Sequence, residues 1–413
     1  MSSKSSKYEL ESPKWLNEDF FDMVLRKFLK DDTIKVKSLS IAPATIINDH
    51  YGSTMFRTTI DYSDSKNNNF TIPYIVKTAT EVESVKKDIL SDSFVFKTET
   101  RMYSETIPKI EMILRKYGDD TTIGPKLVYS AMTPHEVIIL EDLKTQGFFA
   151  LDDDYPNIEQ IKRAISKIAK WHAVSYKLAH EEPESITTYN DGIASLKLEK
   201  IDFFTSGIKN FINNILSTDE ELKKYIPYFE EIDKTLIETF SNIGNAYKRG
   251  DRALFVLNHG DFHFKNMMLK LKKSGELDDL LLIDYQMCSY GPAVMDLTYA
   301  LYLLMDSETR WNKREEIIYE YFEEFRDTLK KIEFCGEVPK MMDLQIDFIK
   351  YQKYETMLVA IFLPVALAFH DKDLRVDDIM ESSETRTKLY QHPRVMKEVK
   401  RILPMLLYKG ALD

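Results

Sequence analysis

The order in which β-like and helical patterns follow each other along the 413-residue chain most restricts how it can fold. Stretches rich in β-branched and aromatic residues, typical of strands, occupy 34–42, 53–62, 70–79, 125–132 and 136–143. A helical segment near 81–117, broken at Pro108, separates the third of these from the fourth. From Asn157 onward apolar residues recur mostly at helical spacing. This order predicts an α+β, bilobal chain, with a small β-rich N-lobe at 1–142 and a large, mainly helical C-lobe at 143–413.

The helical part contains one clear return to β structure, and it carries three polar residues with catalytic spacing. "NHGDFHFKN" places Asp261 five positions before Asn266, as in the Asp-x-x-x-x-Asn of a kinase catalytic loop. "NMMLKLK" and "LLLID" then form a hairpin, in which Asn266 opens one strand and Asp284 ends the other. Since both positions lie at the same end of the hairpin, we predict that Asn266 and Asp284 bind Mg²⁺, which favours such oxygen ligands. Asp261 is the predicted acceptor of a hydroxyl proton.

Three further polar side chains lie in or beside this loop. A backbone hydrogen bond is the expected role of His259, as for many buried histidines. His263 and Lys265 could each touch a transferred phosphate, and a solvated or supporting role fits them equally well.

A kinase also needs a lysine on its third strand that pairs with a glutamate on the following helix. "YIVKTA" and "FVFKTETRMY" supply Lys77 and Glu99 at these places. Pro73 in the same strand argues against this prediction, because proline is tolerated in sheets only at edges and bulges. Surface charges are the alternative explanation for both residues.

Two loops are candidates for binding ATP. "NDHYGST" at 48–54 lacks a Gly-x-Gly-x-x-Gly motif, but Ser53 could donate to a phosphate, and an ordinary hairpin turn explains the segment equally well. "LEDL" joins the two predicted lobes, where Glu141 and Leu143 would meet adenine mainly through main-chain groups.

Composition restricts partners and compartment. The net charge of −11 argues against nucleic-acid binding, which needs clustered Lys and Arg. Cys288 and Cys335 form neither a metal spacing nor a disulfide framework, so we expect a cytoplasmic location. "MLVAIFLPVALAF" at 357–369 is too short to span a bilayer, and we expect a buried helix. No membrane association and no protein partner are indicated.

The chain resembles the ecdysteroid kinase-like family of insects, which is related to choline kinases and aminoglycoside phosphotransferases. The stretches that carry the resemblance are "NDHYGS", "YIVKT", "VFKTETRMY", "VIILEDLKTQGF", "WHAVSY", "NHGDFHFKNMM" and "LIDYQMCSYGPAVMDLTYAL". Gln286 of the Asp-x-Gln motif favours this family over its relatives, whereas Tyr285 and "FHF" depart from the commoner forms. The resemblance implies a protein-kinase-like fold, with Lys77, Glu99, Asp261, Asn266 and Asp284 in the roles given above.

The resemblance also implies an ATP- and Mg²⁺-dependent phosphotransferase with an alcohol group as acceptor. The substrate would be a small alcohol, such as a steroid or a xenobiotic. Aromatic residues such as Phe203, Phe204 and Trp311 could line a pocket for an apolar ligand, and the alternative is that they belong to the core. The alternative is a catalytically inactive relative that binds a nucleotide or ligand. A protein kinase fits less well, since Asp-Phe-Gly and Ala-Pro-Glu are missing.

Overall fold

The computed structural model describes residues 12–44, 53–79, 94–151, 154–192, 196, 198–368, 378–379 and 382–413. The N-terminal part contains helix α1 and five antiparallel strands in the order β1–β2–β3–β5–β4. Their bounds are α1 Glu18–Leu29, β1 Lys35–Pro43, β2 Ser53–Ser63, β3 Asn69–Ala79, β4 Leu127–Ala131 and β5 Val137–Glu141. All five predicted strands are therefore confirmed, each within two residues of its expected bounds.

The two faces of this sheet have different neighbours because side chains alternate along each strand. Phe56, Val76 and Ile139 point to one face, where they form a small core with residues of α1. Lys77 is paired with Met55 on β2 and with Ile138 on β5, so it points to the opposite face. Ile138 belongs to the large core of the C-terminal part. The sheet therefore directs Lys77 toward the C-terminal part.

Pro73 is accommodated at the edge of the β3–β5 pairing. Strand β5 pairs only with Tyr74–Thr78 of β3, so Pro73 lies just beyond the ladder on that side. This is the kind of position where a strand tolerates a missing N–H.

A helical unit connects β3 to β4, as predicted, but without a break at Pro108. Helix α2 (Val95–Arg101) continues through a π-helical turn at Met102–Thr106 into α3 (Ile107–Lys116). Pro108 lies in the first turn of α3, where its missing N–H is tolerated. The part of the prediction at 81–93 lies outside the described residues.

The C-terminal part is mainly helical. Its principal helices are α4 Ile158–Glu181, α5 Asp202–Asn214, α6 Ile226–Gly244, α7 Val294–Leu303, α8 Ser307–Lys331, α9 Met341–Lys350, α10 Gln352–Met357, α11 Leu363–Ala368, α12 Ser383–Tyr390 and α13 Pro393–Tyr408. A π-helical turn, Leu358–Phe362, joins α10 to α11. Helix α4 begins with the capping box of Asn157 and Gln160, which fixes its first turn.

Two small sheets interrupt the helices, one more than the sequence predicted. The predicted hairpin is β8 (Met267–Leu271) with β9 (Leu277–Leu282), and β6 (Phe148–Ala150) extends it. Strands β7 (Phe255–Asn258) and β10 (Ser289–Pro292) form the second sheet. β6, β7 and β10 have only three or four residues, too few to show a period in the sequence.

The apolar run near the C-terminus is part of the core, as predicted. Leu358, Ile361 and Leu363 are fully buried among the helices. Within the described ranges, no helix is long and apolar enough to cross a bilayer.

Candidate active site

The hairpin brings Asn266 and Asp284 to one end of two paired strands. Met267 is in register with Leu282, and the Ile283 N–H donates to the Asn266 carbonyl at 3.0 Å. The two predicted metal ligands therefore flank adjacent positions of the sheet. The predicted position of Asn266 and Asp284 at one end of the hairpin is confirmed, and their role as metal ligands stays a prediction.

Asp261 is held by hydrogen bonds to both of its carboxylate oxygens. Tyr299 Oη donates to Oδ1 at 2.7 Å, and Asn266 Nδ2 donates to Oδ2 at 2.9 Å. His263 Nε2 lies 3.4 Å from Oδ2. Burial by itself raises the pKa of Asp261, but His263 and the Tyr299 hydroxyl stabilise the carboxylate, so its pKa lies well below the usual range. The Asp261 carboxylate is thus ionised and able to accept a proton.

Asn266 uses only its amide nitrogen in these contacts. Nδ2 donates to the Asp261 carboxylate and also to the Asp261 carbonyl at 3.0 Å. No described residue donates to Oδ1. This leaves a carbonyl oxygen available for a cation.

Asp284 stands in an unusual backbone conformation directly after β9. Its φ of 66° lies in the left-handed region, which costs a non-glycine residue about 1 kcal/mol or more. Gln286 Nε2 donates to Asp284 Oδ2 at 3.2 Å. The strained backbone turns the carboxylate toward the sheet of the N-terminal part, where it meets Lys77.

Lys77 connects the N-terminal sheet to the hairpin. Its Nζ lies 2.6 Å from Glu99 Oε2 on α2 and 2.9 Å from Asp284 Oδ1. Lys77 and Glu99 are almost completely buried, whereas the Asp284 side chain is 28% exposed. Burial alone lowers the pKa of Lys77, but the two carboxylates raise it above its ordinary value. The lysine is therefore a permanent cation at this point.

The same arrangement raises the pKa of Glu99. Burial raises its pKa, Lys77 lowers it, and the charge of Asp284 raises it again. The net direction is upward, because two carboxylates share one ammonium group in a buried place. Adding a cation or an anionic ligand would redistribute these contacts.

A buried carboxylate beneath the loop holds its backbone. Asp296 on α7 accepts from the His259 and Gly260 N–H groups at 2.6 and 2.9 Å. His172 Nε2 on α4 lies 3.2 Å from the same carboxylate. His259 itself contacts the Ile283 carbonyl through Nε2 at 3.1 Å, in the structural role expected for it. The loop is therefore fixed from below by one charged group.

Asp296 and Tyr299 are site residues that the sequence reasoning missed. Both lie in "VMDLTYALYL", a helix buried throughout its length, in which Asp296 is the only charged residue. A single charge in a buried apolar helix indicates a buried polar partner. That signal was present in the sequence, and the i, i+3 spacing places Asp296 and Tyr299 on one side of the helix.

Ser53 shares the sheet face of Lys77 without touching it. Ser53 pairs with Ala79 and Met55 pairs with Lys77, so the two side chains are diagonal neighbours on that face. Ser53 is 8% exposed. The rest of the predicted phosphate loop, including Gly52, lies outside the described residues.

The predicted adenine segment is built into the connection between the two parts. Glu141 Oε1 accepts from the Lys126 N–H and Oε2 from Gln146, so its side chain serves the local structure. Leu143 is buried against Phe148 and Leu281. It therefore contributes an apolar surface beside the hairpin.

The remaining candidates divide between the site and its surroundings. His263 faces Asp261, whereas Lys265 Nζ donates to the Leu151 carbonyl at 3.3 Å. Phe203 and Phe204 contact Phe362, whose ring centroid lies 5.9 Å from that of Tyr299. These rings form an apolar wall that reaches Tyr299, the hydrogen-bond donor to Asp261.

Trp311, the third predicted aromatic, does not join that wall. The Arg401 guanidinium lies 4.4 Å from its ring centroid, in a contact between α8 and α13.

The oxygen atoms of the site suit a Mg²⁺ ion whose remaining ligands come from phosphate and water. Glu99 and Asp284 place two carboxylates near one ammonium group, so the cluster carries excess negative charge. Within the part of the chain that the structure describes, no group of three or more His, Cys, Asp or Glu residues could hold a metal alone. Mg²⁺ commonly takes one or two protein oxygens and completes its shell with phosphate and water. Asn266 Oδ1 and the Asp284 carboxylate match that requirement.

Comparison with models of known protein families gives a match. The model of the Ecdysteroid kinase-like family matches residues 48–334. That range is more than half of the chain and contains Lys77, Glu99, Asp261, Asn266 and Asp284, whereas Phe362 lies beyond it. No curated protein matches the chain.

Proposed function

The chain belongs to the ecdysteroid kinase-like family, and from this premise we propose that it transfers the γ-phosphate of ATP to a hydroxyl group of a small-molecule alcohol, with Mg²⁺ as cofactor. The proposal includes a bilobal, protein-kinase-like arrangement, with residues 1–142 and 143–413 as its lobes. It also includes a cytosolic location, which agrees with the free state of Cys288 and Cys335.

One observation carries the proposal: Lys77, on the sheet face that is turned toward the C-terminal part, contacts both Glu99 and Asp284. Lys77 and Asp284 are 207 positions apart in the sequence. A lysine held by a helix glutamate beside a metal-binding aspartate is the arrangement that phosphoryl transfer from ATP requires. The alternative explanation, that Lys77 and Glu99 are surface charges, does not fit, because both side chains are buried.

The residues divide the work of transfer. Lys77 binds the α- and β-phosphates, and Glu99 fixes its position. Asn266 and Asp284 hold Mg²⁺, which would neutralise phosphate charge when bound. Ser53 adds a hydroxyl donor near the phosphates, and the main chain at Glu141 and Leu143 meets adenine.

Asp261 acts on the acceptor. Its carboxylate accepts the proton of the alcohol as the alcohol oxygen forms a bond to the γ-phosphorus. The bond from that phosphorus to the β–γ bridging oxygen breaks, and ADP leaves with the electron pair. Because catalysis of this kind depends on position more than on covalent chemistry, the rigid support of Asp261 matters.

The acceptor side favours an apolar alcohol. Phe362 lies next to Tyr299, which donates a hydrogen bond to Asp261, and Phe203 and Phe204 pack against Phe362 as its ring neighbours. A flat ring system, as in a steroid or a plant xenobiotic, would bury apolar area chiefly against Phe362, which is half-buried, because Phe203 and Phe204 are already almost completely buried. Nucleic acid, membrane and protein partners have no part in the proposal.

The test is ATP consumption with purified protein across a panel of steroids and plant alcohols, with the phosphorylated product identified by mass. Asp261→Asn is the control, and we expect it to abolish turnover while ATP affinity stays within about threefold. ATP binding without turnover on any alcohol would instead favour the catalytically inactive alternative. Near-normal turnover by Asp261→Asn would refute the assignment of the base.

A further inference from the structure

We infer that Tyr299 is a positioning residue for phosphoryl transfer, whose hydroxyl holds the Asp261 carboxylate in the orientation that accepts the proton of the acceptor. The inference rests on the proposed function and adds a residue that has no part in the division of roles given above.

The hydroxyl complements the bond from Asn266. Tyr299 Oη donates to Oδ1 of Asp261 and Asn266 Nδ2 donates to Oδ2, at 2.7 and 2.9 Å. One donor on each oxygen prevents rotation of the carboxylate about its last bond. His263 Nε2 also lies 3.4 Å from Oδ2, whereas Oδ1 keeps a second lone pair for another proton. The two hydrogen bonds therefore fix the orientation of the carboxylate and still leave it able to accept the proton of the alcohol.

Tyr299 is itself held in a fixed place. It is 6% exposed, and its ring contacts Phe362 and His263, with centroid distances of 5.9 and 6.4 Å. Burial raises the pKa of Tyr299, so its hydroxyl remains a donor. A fixed donor costs less conformational entropy at each turnover than a mobile one.

Helix α7 supports both the backbone and the side chain of the catalytic loop. Asp296 holds the loop N–H groups of His259 and Gly260, and one turn later Tyr299 holds the Asp261 side chain. A displacement of either contact would move the base relative to the acceptor. Substrate transfer should therefore be more sensitive to Tyr299 than ATP binding is.

The same helix offers a matched control. Tyr302 is also buried, and its hydroxyl donates to Glu355 Oε1 at 2.7 Å. Tyr302→Phe thus removes a bond of equal length to a buried carboxylate outside the proposed site. The two variants differ in which carboxylate loses its donor.

The experiment compares Tyr299→Phe and Tyr302→Phe in the full chain. Turnover is measured with Mg·ATP and water as the acceptor, and with the best alcohol from the panel. ATP affinity is measured by calorimetry, and melting temperature by differential scanning fluorimetry. For Tyr299→Phe we expect kcat to fall roughly 10- to 100-fold, with the Kd for ATP and the KM for the alcohol within about twofold. Tyr302→Phe should keep kcat within about twofold of the wild-type value, even if its melting temperature falls as far as that of Tyr299→Phe.

Three results would overturn the inference: wild-type kcat in Tyr299→Phe, an equal loss of kcat in both variants, or a loss that appears in KM alone. These differ from a failure of the proposed function, in which the wild-type chain binds ATP but transfers phosphate neither to water nor to any alcohol. In that case the inference fails together with the function on which it rests.

Discussion

Replacing Gly260 with alanine should uncouple the catalytic loop from its support. Gly260 has a φ of +80°, and its N–H donates to Asp296. A Cβ at this position would lie 2.2 Å from the Met287 carbonyl oxygen. Since ordinary contacts begin at 3.4 Å, the loop and that carbonyl must separate by about 1 Å. Because Asp261 directly follows Gly260, its position would change with that of the loop.

The magnitude has two parts. The left-handed backbone costs alanine about 1 kcal/mol relative to glycine. Relief of the backbone clash adds roughly 1–3 kcal/mol, as for overpacking of a rigid interior. The unfolding free energy of Gly260→Ala should therefore fall by about 2–4 kcal/mol. A shift of about 1 Å in the base should lower kcat by roughly 100-fold.

Gly275→Ala is the matched control. Gly275 lies in the hairpin turn with a φ of +89°, and a Cβ there meets no atom within 4 Å. It shares the backbone cost but lacks the clash, so we expect a loss of about 1 kcal/mol and unchanged turnover. Urea unfolding measures the first quantity, and steady-state ATP turnover measures the second.

Equal behaviour of the two variants would refute the reasoning. If Gly260→Ala lost no more stability than Gly275→Ala, the contact with Met287 would not restrict the loop. If it lost stability but retained kcat, the position of Asp261 would not depend on the loop backbone.

Three other perturbations test separate parts of the site and scaffold. Glu99→Gln should weaken ATP binding about tenfold by calorimetry, because Lys77 loses a charge-assisted partner and turns to Asp284; unchanged affinity would contradict this. EDTA should stop turnover and added Mg²⁺ restore it, with Asp284→Asn needing at least about tenfold more Mg²⁺ for half-maximal rate; equal Mg²⁺ dependence would remove Asp284 from the ligand set. Burial raises the folded-state pKa of Asp347 to about 6, so the folded state retains a proton that the unfolded state has lost, and stability falls as pH rises from about 4 past 6. Asp347→Asn does not titrate, so its stability relative to wild type should be about 1–2 kcal/mol more favourable at pH 8 than at pH 5 in urea unfolding; no pH dependence of that difference would contradict the pKa shift.

Much of the local structure could be predicted because its signals are local. The five strands of the N-terminal sheet follow from runs of β-branched and aromatic residues, and the capping box at Asn157 and Gln160 marks the start of α4. The hairpin that carries Asn266 and Asp284 follows from two apolar runs around a turn. In each case the residues that decide the structure are near neighbours in sequence.

Departures from prediction occur where longer-range packing competes with a local rule. Pro108 predicts a break in its helix, yet the chain continues through a π-helical turn at Met102–Thr106, of which Met102 and Tyr103 pack into the large core. The short strands β7 and β10 exist because they pair with each other, and neither shows a pattern of its own. Trp311 was grouped with Phe203 and Phe204 by residue type alone, and packing separates them.

The sequence by itself determined which chemical groups are present and which short elements carry them: Lys77 on a strand, Glu99 on a helix, and Asp261, Asn266 and Asp284 around a hairpin. Only the tertiary structure decided that Lys77 meets both acids and that Tyr299 and Asp296 hold the loop. The physical reason is that periodicity records which face of an element is apolar, whereas a contact across 207 positions depends on how the cores pack together.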